Sequence, residues 1–128
     1  YDVGTVVKSR LMSKGTAASQ TSVHHYLEHM KWVYGVESED EVIAFAEKMT
    51  LRGILNQIRC PFLITHGEAD RQIPVEMAYK TYQEATSSVR RELKIHTREE
   101  GGSEHCSIDN RGITIDYISH WIAKTLGI

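Results

Sequence analysis

Apolar positions recur along this chain with two different periods. Up to about residue 58 they fall at helical steps of three and four. Val6, Val7 and Leu11 mark a short first helix. Gly15 to Ser22 is small and polar and reads as a loop. From Thr21 a longer helical stripe runs through Val23, Tyr26, Leu27, Met30 and Val33 or Tyr34, with Gly35 as its C-cap. Ser38-Glu39-Asp40-Glu41 has the capping-box form, a serine N-cap with a glutamate three residues on, ahead of Val42, Phe45, Ala46 and Met49. Leu51, Ile54, Leu55 and Ile58 predict one more short helix, ending before Pro61, which disfavours helix at Cys60.

Beyond residue 59 strands and helices alternate. Pro61-Phe62-Leu63-Ile64-Thr65 is a nearly continuous apolar run, as in a parallel strand covered on both faces, with proline tolerated because it comes first. A polar loop, His66-Gly67-Glu68-Ala69-Asp70, follows. Ile73-Pro74 opens a helix whose inward stripe is expected at Val75, Ala78, Tyr79 and Tyr82, and Ser87-Ser88 breaks it. Leu93, Ile95 and Thr97 alternate with Lys94 and His96, a second strand with a polar outer face. A loop at 99–103 leads to a closing helix with Ile118, Trp121, Ile122 and Leu126 inward. The order implies an α/β fold with a right-handed parallel crossover. Two strands alone are too few, so the sheet is expected to need neighbours from another polypeptide, either a further part of the same protein or a partner copy in a homodimer.

Composition narrows the function classes. The 128 residues are 41% hydrophobic and 25% charged, ordinary for a globular chain. Fifteen Lys and Arg against 17 Asp and Glu leave a net charge of −2, with no basic run to recognise nucleic acid or an anionic membrane. No apolar run reaches the ~20 residues of a membrane span. Cys60 and Cys106 form neither a disulfide framework nor a zinc motif, which points to a reduced, cytoplasmic setting. The chain opens on Tyr1 without a signal peptide and reads as a piece of something longer.

Open α/β sheets place their sites in the loops at the carboxyl ends of the strands. Two loops qualify here: Gly67-Glu68-Ala69-Asp70, and Gly101-Gly102-Ser103-Glu104-His105. In a parallel pair both emerge at the same end, so Asp70 and His105, 35 residues apart in sequence, can meet. That is the Asp-then-His half of a hydrolytic triad: an imidazole to move a proton and a carboxylate to orient the ring. The plain alternatives are a loop carboxylate capping the next helix at Asp70 and a solvated loop histidine at His105.

The run from Cys60 to Pro74 resembles the seventh strand and acid loop of an α/β-hydrolase. Glu99 to Cys106, with Asp109-Asn110 behind it, resembles the histidine loop. Together they are similar to the esterase-like and carbon–carbon-bond hydrolases that include fungal polyketide-shortening enzymes and 2,6-dihydroxypseudooxynicotine hydrolase. The resemblance covers residues 51–128 and fades over 1–50. It implies that 51–128 are the C-terminal portion of an α/β-hydrolase parallel sheet, with Asp70 the triad acid and His105 the triad base. Residues 1–50 would be part of a helical cap, the segment that walls the substrate pocket in that fold. It implies a small-molecule substrate with an ester or activated-ketone bond, and no metal or organic cofactor.

The nucleophile elbow of that fold, G-x-S-x-G, occurs nowhere in these 128 residues. Ser103 and Cys106 flank His105 on the wrong loop to replace it, so the nucleophile is expected on a preceding stretch. Glu68 is a weaker candidate for the acid, better read as stabilising its loop. Asp109 reads as the N-cap of the last helix. His25 and His29, four apart on one helical face, form a possible metal pair but lack the glutamate that follows the first histidine in metalloproteases, so a polar face is the simpler reading. His66 and His96 read as strand-end and strand-surface residues, and His120 as exposed. The competing functional reading is a hydrolase-like remnant acting as a binding protein.

Overall fold

The computed structural model describes residues 2–12 and 17–128, without the side chains of 17–23. They form two compact units, Asp2–Leu51 and Arg52–Ile128. Among the described residues no helix is long and apolar enough to cross a membrane.

The first unit is helical: α1 (Val3–Met12), α2 (Ala17–Tyr34) and α3 (Glu39–Lys48). Helix α2 begins four residues before the predicted stripe, inside the expected loop. Ala17 and Ala18 are the strongest helix formers and extend it, while the start of that loop, Gly15 and Thr16, lies outside the described residues. The amide of Val36 donates to the Lys31 carbonyl at 3.0 Å across Gly35, closing α2 where the glycine predicts its end. The capping box is formed in full, with Glu41 N donating to Ser38 Oγ at 3.2 Å and Ser38 N to Glu41 Oε2 at 2.9 Å. Val7, Val42 and Ala46 are buried together, with Leu11, Tyr26, Leu27 and Met30 packed around them. Phe45 lies at the margin, its ring stacked on Tyr34 at 4.5 Å. The amide of Val3 donates to the Met49 carbonyl at 3.2 Å and joins the ends of the unit.

The second unit is mixed α/β. Strands β1 (Phe62–Gly67) and β2 (Arg91–His96) pair in parallel from Phe62↔Arg91 to Gly67↔His96, connected by α4 (Val75–Glu84) and followed by α5 (Arg111–Leu126). The helix expected over 51–58 is a single 3-10 turn, Leu55–Gln57. Gly53 at φ 74 sits in the left-handed region and interrupts it, leaving Leu55 buried but Leu51 and Ile54 exposed.

Of the expected inward stripe of α4, Ala78 is buried but Tyr79 is exposed; Ala78 is joined instead by Met77 and Thr81, continued by Ala85 just past the helix. Thr81 can face inward because its hydroxyl donates to the Met77 carbonyl at 2.7 Å. Strand β1 is half-exposed from Phe62 to His66 rather than covered on both faces. Helix α5 buries no residue, and Ile122 and Leu126 of its expected inward stripe are exposed. It meets β2 through polar groups. Tyr117 Oη and Trp121 Nε1 both donate to Glu92, the latter at 3.1 Å, and Lys94 Nζ stands 5.7 Å from the Tyr117 ring. The strand face that alternation marks as polar is therefore the one that meets α5.

Candidate active site

The loop after β1 folds around its own carboxylate. Asp70 Oδ1 accepts from the amides of Gln72 at 2.8 Å and Ile73 at 2.9 Å, an Asx-type closure. The other oxygen, Oδ2, lies 2.8 Å from His105 Nδ1. The Asp70 side chain is 4% exposed and that of His105 35%. Burial pushes the Asp70 carboxyl up. The Ile73 amide, the His105 ring and the Gln72 amide outweigh it and hold the group below its ordinary value, so it stays ionised. A carboxylate only accepts, so Nδ1 is the donor, and the tautomer this selects has its lone pair on Nε2.

A second imidazole approaches the same carboxylate. His66 Nε2 donates to the Ile73 carbonyl at 3.0 Å and stands 3.8 Å from Asp70 Oδ2. It joins the two ends of the acid loop. Glu68 Oε1 accepts from the Arg98 amide at 2.7 Å, so it stabilises its loop as expected.

The two strand-end loops are stitched by backbone. Glu68 N donates to the His96 carbonyl at 3.0 Å and Ala69 N to the Ser103 carbonyl at 2.9 Å. Gly67 makes this approach possible: a Cβ there would lie 2.1 Å from the Ser103 carbonyl oxygen. Gly101 and Gly102, at φ 85 and 77, turn the chain towards His105. Past His105, Cys106 and Ser107 hold φ 52 and 53, a left-handed pair that costs conformational energy. Ser107 Oγ accepts from Thr114 Oγ1 at 2.7 Å, which ties this turn to α5. A cleft of about 300 Å³ opens here, lined by Thr65, His66, Asp70, His105, Cys106 and Ser107 among others.

The chain is similar to fungal hydrolases. It is 32% identical over 105 residues to Hydrolase LUC6 of a Fusarium species, and 31% identical over 105 residues to 20-hydroxy-prefusarin hydrolase FUS2 of Gibberella moniliformis. Each match covers 78% of this chain and 25% of the relative, so the chain spans about a quarter of the length of the curated relatives it matches. No protein-family profile matches the chain. No solved structure matches it significantly.

Set beside that likeness to hydrolases, the expected site residues divide clearly. Asp70 and His105 are brought into contact. Ser103 is 95% buried, and its hydroxyl faces Asp109 Oδ2 at 3.4 Å. Cys106 is exposed at the rim of the cleft. Asp109 does not cap α5. Asn110 does, its side chain accepting from the Ile113 amide, because it stands one residue closer to the first turn. The Asp109 carboxylate instead accepts from Ser103 N at 2.9 Å and Glu104 N at 3.0 Å, a role that spacing alone does not announce. His96 is a second correction. It is wholly buried against Tyr117, 6.2 Å between ring centres, and neither ring nitrogen has a hydrogen-bond partner among the described residues. In the helical unit the His29 ring stacks on Trp32 and the His25 ring faces His24. Among the described residues no group of three or more His, Cys, Asp or Glu is placed to hold a metal ion.

Proposed function

We propose that residues 51–128 are the C-terminal part of an α/β-hydrolase, carrying the acid and base of a serine triad, and that residues 1–50 belong to its helical cap. The carrying observation is the 2.8 Å contact between Asp70 Oδ2 and His105 Nδ1, with the remaining carboxylate oxygen saturated by two backbone amides. The carboxylate can turn neither away nor round, so it fixes one tautomer of the ring. The likeness to proteins named as hydrolases supports the same reading. The half-exposed β1 and the bare face of α5 support a sheet continued by strands outside these residues.

In this reading a serine from outside the 128 residues lies beside His105 Nε2. That nitrogen takes the hydroxyl proton as the serine attacks the carbonyl carbon of an ester or activated ketone. Asp70 stabilises the imidazolium that forms. The imidazolium then returns its proton to the leaving alkoxide or carbanion, and the same nitrogen activates the water that releases the acyl group.

The test is Asp70→Asn in the full-length protein, assayed on p-nitrophenyl butyrate. An amide N–H facing Nδ1 forces the opposite tautomer, and kcat should fall about 10⁴-fold. Unchanged turnover would remove the reading. If a fluorophosphonate probe never labels the full-length protein, the alternative of a non-catalytic binding module takes its place.

A further inference from the structure

We infer that Asp109 is a positioning residue for His105, a role that rests on the reading of His105 as the base. His105 stands between two pairs of residues with unusual backbone freedom or strain. Gly101 and Gly102 precede it at φ 85 and 77, and Cys106 and Ser107 follow at φ 52 and 53. Nothing in such a segment holds the imidazole to Asp70 by local preference alone. Asp109 supplies the restraint. Its Oδ1 accepts from Glu104 N, the amide just before His105, and its Oδ2 accepts from the amide and hydroxyl of Ser103, one residue earlier.

The clamp spans the histidine turn. Ser107 N donates to the Glu104 carbonyl at 2.9 Å, and Ile108 N to the His105 carbonyl at 3.2 Å. The chain thus leaves the clamped amides, turns once through His105 and returns to the clamping carboxylate. The far side of the same residue is anchored too: the Ser103 carbonyl accepts from Ala69 N, in the loop that carries Asp70. Asp109 is therefore joined through Ser103 to the acid loop. Because Asn110 takes the N-cap of α5, the Asp109 carboxylate is left wholly to the loop. Burial pushes that carboxyl up, and the amides of Glu104 and Ser103 bring it below its ordinary value, as for an ionised acceptor.

The experiment compares four full-length proteins: wild type, Asp109→Asn, His105→Ala and the double variant. The readouts are the labelling rate with a fluorophosphonate probe and the KM for p-nitrophenyl butyrate. An amide keeps the size and one acceptor oxygen but cannot accept on both sides. Asp109→Asn should slow labelling about 10²-fold, the scale of a ~1 Å misplacement, and leave KM within about twofold. In the His105→Ala background the same change should leave the residual rate within about twofold, because the group being positioned is gone. Wild-type labelling by Asp109→Asn, or losses that multiply in the double variant, would overturn the proposal. The multiplying result would mark a structural role. His105→Ala labelled at the wild-type rate would instead bring down the underlying assignment of the base, a separate failure read from a different protein.

Discussion

The two units are held by different physics. Asp2–Leu51 buries a small apolar cluster, Val7, Val42 and Ala46, between helices, with polar contacts at its ends and surface. Arg52–Ile128 buries Leu55, Met77, Ala78 and Ala85, but also His96, Thr81, Ser103 and Ser107, and its last helix buries nothing. Near the cleft its strand-end loops are held by backbone amides meeting carbonyls and carboxylates. The contrast teaches where precision is spent. An apolar cluster is tolerant of small shifts because its forces have no direction. A hydrogen-bonded loop has few permitted geometries, and the loops of the second unit hold Asp70 and His105 at contact distance.

If that contrast is right, one methyl group should do more harm at Gly67 than a deleted side chain does among the helices. Alanine there would set its Cβ 2.1 Å from Ser103 O and 2.4 Å from Ser103 C. Those are backbone atoms of the histidine loop and cannot swing aside, so the two loops must part. Activity of the full-length protein should drop ~10²-fold or more for an ångström of separation. Overpacking should destabilise the unit by about 3 kcal/mol. Calorimetry and turnover measured together test both; a Gly67→Ala protein with normal kcat would show that the loops are not registered through this contact.

Val42→Ala is the opposite probe. The side chain is fully buried in the helical cluster. Loss of its two methyl groups should cost about 2 kcal/mol, read as faster native-state hydrogen exchange in residues 2–51. The labelling rate at the proposed triad should stay as in wild type. A matched loss of labelling would mean that the helical unit sets the geometry of the acid and base.

Which features were legible in the sequence follows from the same division. Helical period, the capping box at Ser38 and the parallel strands are local signals, and they led to α1 to α5 and to β1 and β2. The meeting of Asp70 with His105 followed from topology, since loops after parallel neighbours emerge together. What escaped depends on single residues competing over one position. Asp109 and Asn110 are both good N-caps, and only the first-turn geometry of α5 decides between them. Gly53 breaks a helix that Leu51, Ile54, Leu55 and Ile58 would otherwise make. Thr81 turns inward because a backbone carbonyl satisfies its hydroxyl. The polar face of β2 is covered because Tyr117 and Trp121 carry donors suited to Glu92. No apolar periodicity records any of these.

His96 gives the smallest and most diagnostic effect. Its imidazole is buried without a hydrogen-bond partner among the described residues. Burial first, and Lys94 second, hold its pKa below the ordinary imidazole value, while Glu100 and Asp109 pull the other way. As pH falls, the unfolded chain takes up this proton before the folded one. Stability from neutral His96 is thus fully present above about pH 6.5 and declines as pH drops below it, until the folded-state value is passed. Asp70 and Asp109 behave differently: their pKa values are lowered by folding, so their contributions survive into the carboxylate range and are lost only at more acidic pH. The windows separate the groups. His96→Leu removes the unsatisfied polar ring and should leave stability at pH 7 unchanged or raised by about 1 kcal/mol. The same change should flatten the decline just below pH 6.5 and leave the more acidic decline in place. Unfolding midpoints of the two proteins across that range decide it. An unaltered slope below pH 6.5 would mean that the buried ring takes up its proton as readily in the folded protein as in the unfolded chain.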